Sequence, residues 1–246
     1  MAHTIDSQDS YRKAYEASVA NPEQFWSEVA EDFTWRKKWD QVLSWDFRKP
    51  EVKWFIGGKL NITENCIDRH LEKRAGQTAI LWEPNDPKDE PRKVTYQELH
   101  DEVCRVGNML RAHGVGKGDR VCIYMPMVPE TAFAILACAR IGAVHSVVFA
   151  GFSAGSLVDR INDSGCKVVL TADGANRGDK KIDLKKIVDE ALDKCPTVEH
   201  VFVLEHSGLT PNMKEGRDKR WHSELSRYGT ECAPELMDSE DPLFIL

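Results

Sequence analysis

The segment from Arg120 to Leu204 alternates short apolar runs with longer helical patterns, and this alternation constrains the fold more than any other feature of the chain. The predicted strands are Arg120–Met125, Ala143–Phe149, Lys167–Thr171 and Val201–Leu204. The predicted helices between them are Glu130–Ile141, Ser153 to about Ser164, and a face that runs from Leu184 to Leu192. Short strands that alternate with helices form βαβ units, whose parallel sheets are covered by helices on both faces. We therefore predict an α/β fold with a doubly wound, mostly parallel sheet.

The first 60 residues differ from the rest because they hold five of the seven tryptophans. Asn21 is a suitable helix cap and Pro22 suits the first helical position, which predicts a helix from Pro22 to about Glu31. Aromatic and charged residues then alternate irregularly. We predict a helical and loop-rich arm over residues 1–60, followed by an α/β subdomain over residues 61–246. The arm either inserts its tryptophans into a neighbouring surface or forms a small helical subdomain.

Local signals also predict structure between the arm and the βαβ units. The pattern from Ile62 to Arg74 is helical, and Thr78–Glu83 is typical of a strand. Thr95 and Glu98 form a capping-box pattern, in which the hydroxyl and the carboxylate each bond a free backbone amide at a helix start. The helix that follows is expected to end at Gly114, since glycine readily takes the left-handed conformation there.

Charge and hydropathy exclude several function classes. The chain has 33 Lys and Arg against 40 Asp and Glu, which gives a formal charge of −7. Broad binding to nucleic acid or to anionic membranes is therefore not expected. No secretion signal and no uninterrupted apolar run of about 20 residues occur. The seven cysteines form no CxxC motif, which suits a reducing compartment, so we predict a cytoplasmic protein.

The last residues predict a strand. A polar run at 238–241 and Pro242 precede Leu243–Leu246, which are all apolar. We expect this tetrapeptide to be the start of a buried strand that is cut off. The expected partner of this edge is then the missing remainder of the same chain.

Three loops follow predicted strands at their carboxyl ends, where open parallel sheets bind ligands. They span 126–129, 149–153 and 172–181. In the third loop, Arg177, Lys180 and Lys181 surround Gly178 and Asp179. Such a loop can present cations to a phosphate, with glycine allowing close backbone approach. The alternative is a solvated turn with scattered charges.

The second loop has two further interpretations. Gly151 lies between Phe149 and Phe152 and could provide a flat seat for a purine, or the aromatic rings could pack into the core. The same loop spells GxSxG around Ser153, the pattern of a serine nucleophile on a strand-to-helix turn. A base would have to come from His200, His206 or His222. A helix-capping serine explains the pattern equally well.

Other polar residues are interpreted structurally. His145 is predicted to be a satisfied core histidine, and the run Asp68–His70 an ion-paired segment at a domain seam. Neither a GxxxxGK[ST] phosphate loop nor a GxGxxG motif after a strand occurs, and no residues have metal-ligand spacing. The sequence therefore assigns no catalytic residue and no metal ligand.

Several blocks resemble those of AMP-forming acetyl-CoA synthetases, which belong to the adenylate-forming acyl-CoA synthetase superfamily. The blocks are Lys53–Phe55, Leu60–Asn61, Asn65–Leu71, Val94–Leu99, Tyr124–Glu130, Ala139–His145 and Phe149–Ser153. The resemblance covers the chain from about Pro22 onward. It implies an enzyme that converts acetate, ATP and coenzyme A (CoA) into acetyl-CoA, AMP and pyrophosphate with the help of Mg²⁺. It also implies that the ATP and Mg²⁺ sites lie beyond this chain, which is then an inactive N-terminal portion.

The resemblance further implies part of a CoA site. Arg177, Gly178, Asp179 and Lys180 match the loop that contacts the nucleotide end of CoA in that family, and Phe149, Ala150, Gly151 and Ile182 match positions that line the adenine. Family members often have glycine at the position of Asp179 and arginine at that of Lys180, and an aspartate at this position would weaken the binding of a phosphate.

Four alternatives stay open from the sequence. The first is a propionyl-CoA or other short-chain acyl-CoA synthetase. The second is a stand-alone, non-catalytic nucleotide- or CoA-binding module. The third is a serine hydrolase that uses Ser153. The fourth is a nicotinamide dehydrogenase, which the missing glycine motif disfavours.

Overall fold

A computed structural model of the chain describes residues 4–246, so the first three residues of the predicted arm lie outside the described part. Its helices are α1 (Gln8–Ala20), α2 (Pro22–Ala30), α3 (Arg69–Arg74), α4 (Tyr96–Ala112), α5 (Pro129–Ile141), α6 (Ala154–Ser164), α7 (Leu184–Leu192) and α8 (Trp221–Leu225), with a π-helical turn at Glu64–Asp68. Its strands are β1 (Gln41–Asp46), β2 (Glu51–Ile56), β3 (Lys59–Leu60), β4 (Thr78–Trp82), β5 (Arg92–Thr95), β6 (Arg120–Tyr124), β7 (Val144–Val147), β8 (Val168–Ala172), β9 (Ala175–Arg177), β10 (Lys180–Ile182), β11 (His200–Leu204), β12 (Asp218–Arg220), β13 (Met237–Asp238) and β14 (Phe244–Ile245).

The chain divides into two compact units. The smaller unit contains the residues up to Asn65 together with Leu236–Asp241, and the larger unit contains Cys66–Glu235 together with Pro242–Leu246. The prediction of one arm over residues 1–60 and one subdomain over residues 61–246 stays a prediction.

The larger unit is built on a six-stranded sheet in the order β12-β11-β8-β6-β7-β14. Every neighbouring pair in it is parallel. The chain passes from β6 to β7 through α5, and then returns past β6 to β8 through α6. Since such crossovers are right-handed, the return places α6 on the opposite face from α5. This topology confirms the predicted doubly wound α/β fold.

The centre of the sheet is buried on both faces. In β6 the residues Val121–Tyr124 are buried, and every residue of β8 is buried. Helix α4 packs against α5 and α8, whereas α6 packs against α7. Strands enclosed in this way read as continuous apolar runs, which is why the sequence predicted them well.

Local chemistry sets the helix ends. Thr95 caps α4, and both bonds of the predicted capping box with Glu98 are present. Gly114 follows α4 with a φ of 76°, as predicted. Ser153 caps α6 by accepting a hydrogen bond from the amide of Ser156. Helix α5 ends at Gly142, whose left-handed conformation closes the last turn.

The smaller unit holds more regular structure than predicted. Helix α2 was predicted, but α1 and the antiparallel hairpin of β1 and β2 were not. The rings of Trp35, Trp39 and Phe55 contact one another at centroid distances of 5.0–5.4 Å. Trp26 packs edge-on against Trp54. These tryptophans therefore form an aromatic cluster inside the unit.

Three further details differ from the predictions. The helix predicted from Ile62 to Arg74 includes the π-helical turn. Residues 172–181 were predicted as a loop but contain the antiparallel hairpin of β9 and β10. The terminal strand β14 forms as predicted, pairing with β7, but it is not buried: Phe244 is 49% and Ile245 38% exposed. Both lie on an edge strand, which has a neighbour on one side only.

Among residues 4–246, every helix is too short or too polar to span a lipid bilayer.

Candidate anion-binding site at the carboxyl edge of the sheet

The winding of the sheet defines where a ligand can bind. The chain leaves β6 in one direction and later continues from β8 in the other, so the connections diverge at the carboxyl ends of these two strands. Open α/β sheets bind ligands in the crevice at such a switch point. The loops after β6, β7, β8 and β11 all reach this edge, and the segments after β7 and β8 contain the eight residues predicted to form part of a CoA site.

The hairpin of β9 and β10 carries the basic residues. Its strands are joined by a two-residue turn, Gly178–Asp179, which follows Arg177 and precedes Lys180. Gly178 has a φ of 57°, whereas Asp179 is not among the residues with positive φ. This combination is that of a type II′ turn, which favours glycine at its first central position. The backbone conformation of the turn therefore accounts for the glycine at position 178.

The register of the hairpin determines on which face each of its three basic side chains lies. Arg177 pairs with Lys180, and both are exposed. Since directly opposite residues project from the same face, these two like charges lie side by side and repel each other. Lys181 lies on the other face, where its ammonium group donates a hydrogen bond to the carbonyl oxygen of Ser207. The structure therefore brings Arg177 and Lys180 together and makes Lys181 an anchor.

Asp173, at the base of the hairpin, has a structural role at the candidate site that was not predicted from the sequence. It is buried, and its carboxylate accepts hydrogen bonds at 2.6–3.0 Å from the backbone amides of Gly174, His206, Ser207 and Gly208. A carboxylate that accepts several amides fixes the loop that donates them. The loop after β11, which receives Lys181, is thus held from β8. The position of Asp173 directly after a buried strand is the sequence signal that could have identified this residue.

Asn85, from the loop between β4 and β5, contacts the other end of the hairpin. Its side-chain Nδ2 donates to the carbonyl oxygen of Gly178, and its Oδ1 accepts from the amide of Gly178, both at 3.2 Å. No local pattern predicts this contact, because the two residues are 93 positions apart. A polar loop with several prolines and aspartates is interpreted by default as solvated.

The aromatic loop after β7 forms a second part of the edge. Phe149 is 65% exposed. A Cβ atom on Gly151 would lie 2.7 Å from the Phe149 ring, so the ring lies directly against the glycine backbone. The hydroxyl of Tyr124 donates to the carbonyl oxygen of Phe152 at 2.8 Å and so holds the loop to β6. An exposed aromatic ring is a surface on which a planar group can stack.

The predicted adenine-lining residues are divided between two loops. Phe149, Ala150 and Gly151 follow β7, whereas Ile182 lies in β10, half-buried against the core. Strand β6 separates β7 from β8, so the strand ends that carry these two groups lie two strand spacings apart, about 10 Å. Both groups belong to segments at the same edge of the sheet.

The serine of the GxSxG pattern has a structural role. Ser153 caps α6, as the capping interpretation predicted. Of the histidines proposed as its base, His200 begins β11 at the opposite edge of the sheet. His206 contacts the Trp82 ring, and His222 is exposed on α8. Within residues 4–246, Ser153 forms no hydrogen bond to any of these three histidines, so the geometry does not support the hydrolase alternative.

Two other structural interpretations have different outcomes. Arg140 is buried and donates to both carboxylate oxygens of Asp68 at 3.0 Å, which confirms an ion pair for Asp68. His145 is buried, but its Nδ1 has no hydrogen-bond partner among the described residues. The prediction that this histidine is fully satisfied is therefore wrong. Burial alone lowers the pKa of its imidazole.

The described residues do not fit a metal ion. Within 4–246, no group of three or more His, Cys, Asp or Glu side chains is arranged to hold one. The Mg²⁺ that the resemblance implies has no ligand set among them.

These features define a doubly wound α/β protein whose carboxyl edge carries a cationic hairpin and an exposed aromatic ring. The family described as AMP-binding enzyme matches residues 67–246, and the family described as acetyl-coenzyme A synthetase N-terminus matches residues 11–66. The chain belongs to the AMP-binding enzyme family. This confirms the resemblance found in the sequence.

Individual relatives agree with this membership. The chain is 54% identical, over 96% of its length, to an acetyl-coenzyme A synthetase of Bdellovibrio bacteriovorus. It is 52% identical, over its whole length, to one of Magnetococcus marinus. A solved acetoacetyl-CoA synthetase from Streptomyces lividans superposes with a TM-score of 0.87 at 30% identity and covers the whole chain. The chain spans 37–38% of the length of these proteins.

Proposed function

We propose that the protein that carries this sequence is an AMP-forming acetate–CoA ligase, and that this chain contributes one wall of its CoA site. The relatives named acetyl-coenzyme A synthetase, at 52–54% identity, support the activity. The paired cations of the hairpin support the CoA role, since Arg177 and Lys180 lie directly opposite each other on one face. An anion bound between them would relieve their repulsion.

The proposed reaction has two steps. A carboxylate oxygen of acetate attacks the α-phosphorus of ATP, the bond to the β-phosphate breaks, and pyrophosphate leaves. The sulfur of CoA then attacks the acyl carbon of the adenylate, AMP leaves, and the thiol proton is released. Mg²⁺ would neutralise charge on the phosphates, but the proposal assigns neither ATP nor Mg²⁺ to residues of this chain.

The described residues act on CoA in this proposal. Arg177 and Lys180 bind its phosphates through charge-assisted hydrogen bonds, with Gly178 shaping the turn between them. Asp179 stands at the tip and opposes anion binding, so its side chain would point away from the phosphates. Phe149, Ala150 and Gly151 offer a stacking surface for the adenine, and Ile182 supports the hairpin from the core side.

The decisive experiment uses the complete open reading frame that contains this sequence. Replacing both Arg177 and Lys180 by Ala is expected to raise the KM for CoA by about tenfold or more, as expected when hydrogen bonds to charged groups are lost. The acetate-dependent exchange of pyrophosphate into ATP, which does not need CoA, should keep its rate. Lys186→Ala, an exposed lysine on α7, is the matched control. An unchanged KM for CoA would refute the CoA role, and a lack of acetate-dependent exchange in the wild type would refute the ligase.

Substrate choice is tested in the same assay. Acetate should support faster pyrophosphate exchange than propionate. The reverse order would favour a propionyl-CoA synthetase, the first alternative that the sequence left open.

A stand-alone CoA-binding module is the second candidate function. It is favoured by the hairpin, which is fully formed and anchored within this chain. Calorimetry on the 246-residue chain separates the two. Tight CoA binding that is lost in Arg177→Ala would support the module, whereas weak or absent binding would support a site that needs further residues.

We also propose that this enzyme is cytoplasmic and that its partners are small molecules. The seven cysteines are all free and six of them are buried, which suits a reducing compartment. The net charge of −7 argues against nucleic acid as a partner.

A further inference from the structure

We propose that Asn85 is a positioning residue that holds the tip of the β9–β10 hairpin and thereby keeps Arg177 and Lys180 ready for CoA. This inference rests on the proposed function of the hairpin. It adds a residue from the loop between β4 and β5, which is not among the site residues predicted from the sequence.

The first argument is the chemistry of the contact. A carboxamide both donates and accepts, so Asn85 can bond the N–H and the C=O of one residue as a neighbouring strand would. It does this to Gly178, with both bonds at 3.2 Å. Asp or Ser could not present the same donor and acceptor pair in that geometry. The Asn85 side chain therefore makes the two hydrogen bonds to Gly178 that a neighbouring strand would otherwise make.

The second argument is that the hairpin needs this support. Its strands are three residues long, and an isolated two-stranded hairpin is marginally stable in water. The like charges of Arg177 and Lys180 weaken it further. Its base is fixed, since a Cβ atom on Gly174 would lie 2.7 Å from the carbonyl oxygen of Ile182, and Lys181 is bonded to Ser207. Asn85 supplies the contact at the tip.

The third argument is the position of the contact relative to the cations. Gly178 directly follows Arg177 and is separated from Lys180 only by Asp179. Holding the Gly178 peptide groups therefore restricts the backbone from which both basic side chains extend. Without this restriction the hairpin would have to be ordered when CoA binds, and that cost would weaken binding.

The test uses the complete enzyme and the variant Asn85→Leu, which keeps the approximate size and removes both bonds. The KM for CoA is expected to rise about fivefold, the loss expected when two solvent-accessible hydrogen bonds are removed. The kcat at saturating CoA and the CoA-independent pyrophosphate exchange should not change. Asn162→Ala is the matched control, because Asn162 also donates to a distant backbone carbonyl, that of Lys194, away from the hairpin.

A second measurement isolates the mechanism. If Asn85 acts only through the cations, Asn85→Leu should have no effect on the KM for CoA when Arg177 and Lys180 are already Ala, because coupled residues are not additive. Amide hydrogen exchange of the 175–182 segment should also become faster in Asn85→Leu and stay unchanged in Asn162→Ala.

The outcomes separate the two proposals. If the Arg177 and Lys180 double variant leaves the KM for CoA unchanged, the proposed function of the hairpin fails. If that double variant raises the KM but Asn85→Leu changes neither the KM nor the exchange of 175–182, only the role of Asn85 fails. A fall in pyrophosphate exchange in Asn85→Leu would also overturn it, since it would show damage beyond the CoA site.

Discussion

At the scale of single residues, His145 shows how the burial of a titratable side chain makes the stability of the fold depend on pH. Its ring lies 5.6 Å from that of Phe244, and its Nδ1 has no partner among residues 4–246. Burial lowers the pKa of the imidazole below its ordinary value of 6.5. The unfolded chain therefore binds a proton at this position more readily than the folded chain does.

The sign of the resulting effect on stability follows from linkage. Between the unfolded pKa and the lower folded pKa, the unfolded state holds more protons, so stability falls as the pH falls. The chain should lose thermal stability as the pH drops from about 7 to about 5. Melting temperatures of the 246-residue chain across this range would measure the slope, and His145→Gln should flatten it. His222→Gln is the control, because folding leaves this ring exposed. An equal slope in wild type and His145→Gln would contradict the prediction.

Gly174 illustrates a constraint that comes from space. A Cβ atom there would lie 2.6 Å from the Ser207 hydroxyl and 2.7 Å from the carbonyl oxygen of Ile182. Since the second contact is with backbone, Gly174→Ala should displace the hairpin and lower the free energy of unfolding by about 1–3 kcal/mol. Urea denaturation would measure the loss. Gly76→Ala, at a position with open space around it, should change the midpoint little. A similar midpoint for both variants would show that the hairpin base is loose.

At the scale of elements, the cap of α6 separates two interpretations of one motif. Ser153→Ala removes the hydroxyl that accepts the Ser156 amide and should lower the free energy of unfolding by about 1 kcal/mol. Ser153→Asn should restore it, since Asn is an equally good cap. Thermal melting compares the three proteins, and a fluorophosphonate probe should label none of them. Labelling of the wild type that is lost in Ser153→Asn would instead establish a nucleophile.

Elements with strong local signals were predicted from the sequence, and those without were not. Residues 121–124 of β6 and all residues of β8 are buried, and the α4 capping box is encoded in residues 95–98. Helix α1 has no buried residue, so its sequence has no apolar face from which the helix could be predicted. The β1–β2 hairpin lies in a stretch where aromatic and charged residues do not alternate regularly, and its connection at 47–50 has no glycine. Neither regular alternation nor a turn glycine therefore predicted its strands.

The residues of the candidate site also differ in whether a local sequence signal predicts them. Arg177 and Lys180 could be recognised because basic residues beside a glycine suggest a phosphate. Asn85 and Asp173 could not be assigned in the same way, because their roles arise from contacts with residues far away in the sequence. Lys181 was grouped with the other cations because spacing does not reveal on which face of a hairpin a side chain lies. Pairing register decides that, and it is a property of the folded chain.

At the scale of the whole molecule, the large sheet gathers strands from distant parts of the chain. Its six strands run from residue 120 to residue 245, and β14 pairs with β7 about one hundred residues after it in the sequence. Four of the six strands come from the central βαβ region that the sequence identified. The carboxyl edge that holds the candidate site is thus a product of the complete sheet, whereas the hairpin and its anchors are local additions to that edge.

The buried guanidinium of Arg140 has a consequence for the order in which this molecule assembles. It joins α5 to Asp68, which is 72 residues away, and to the carbonyl oxygen of Cys232, which is 92 residues away. Closing such long loops is entropically costly, so contacts of this kind form late in folding. Arg140→Met should therefore accelerate unfolding while leaving the refolding rate nearly unchanged, which stopped-flow fluorescence in urea can measure. Arg140 would then govern how long the folded state persists rather than how quickly it is reached.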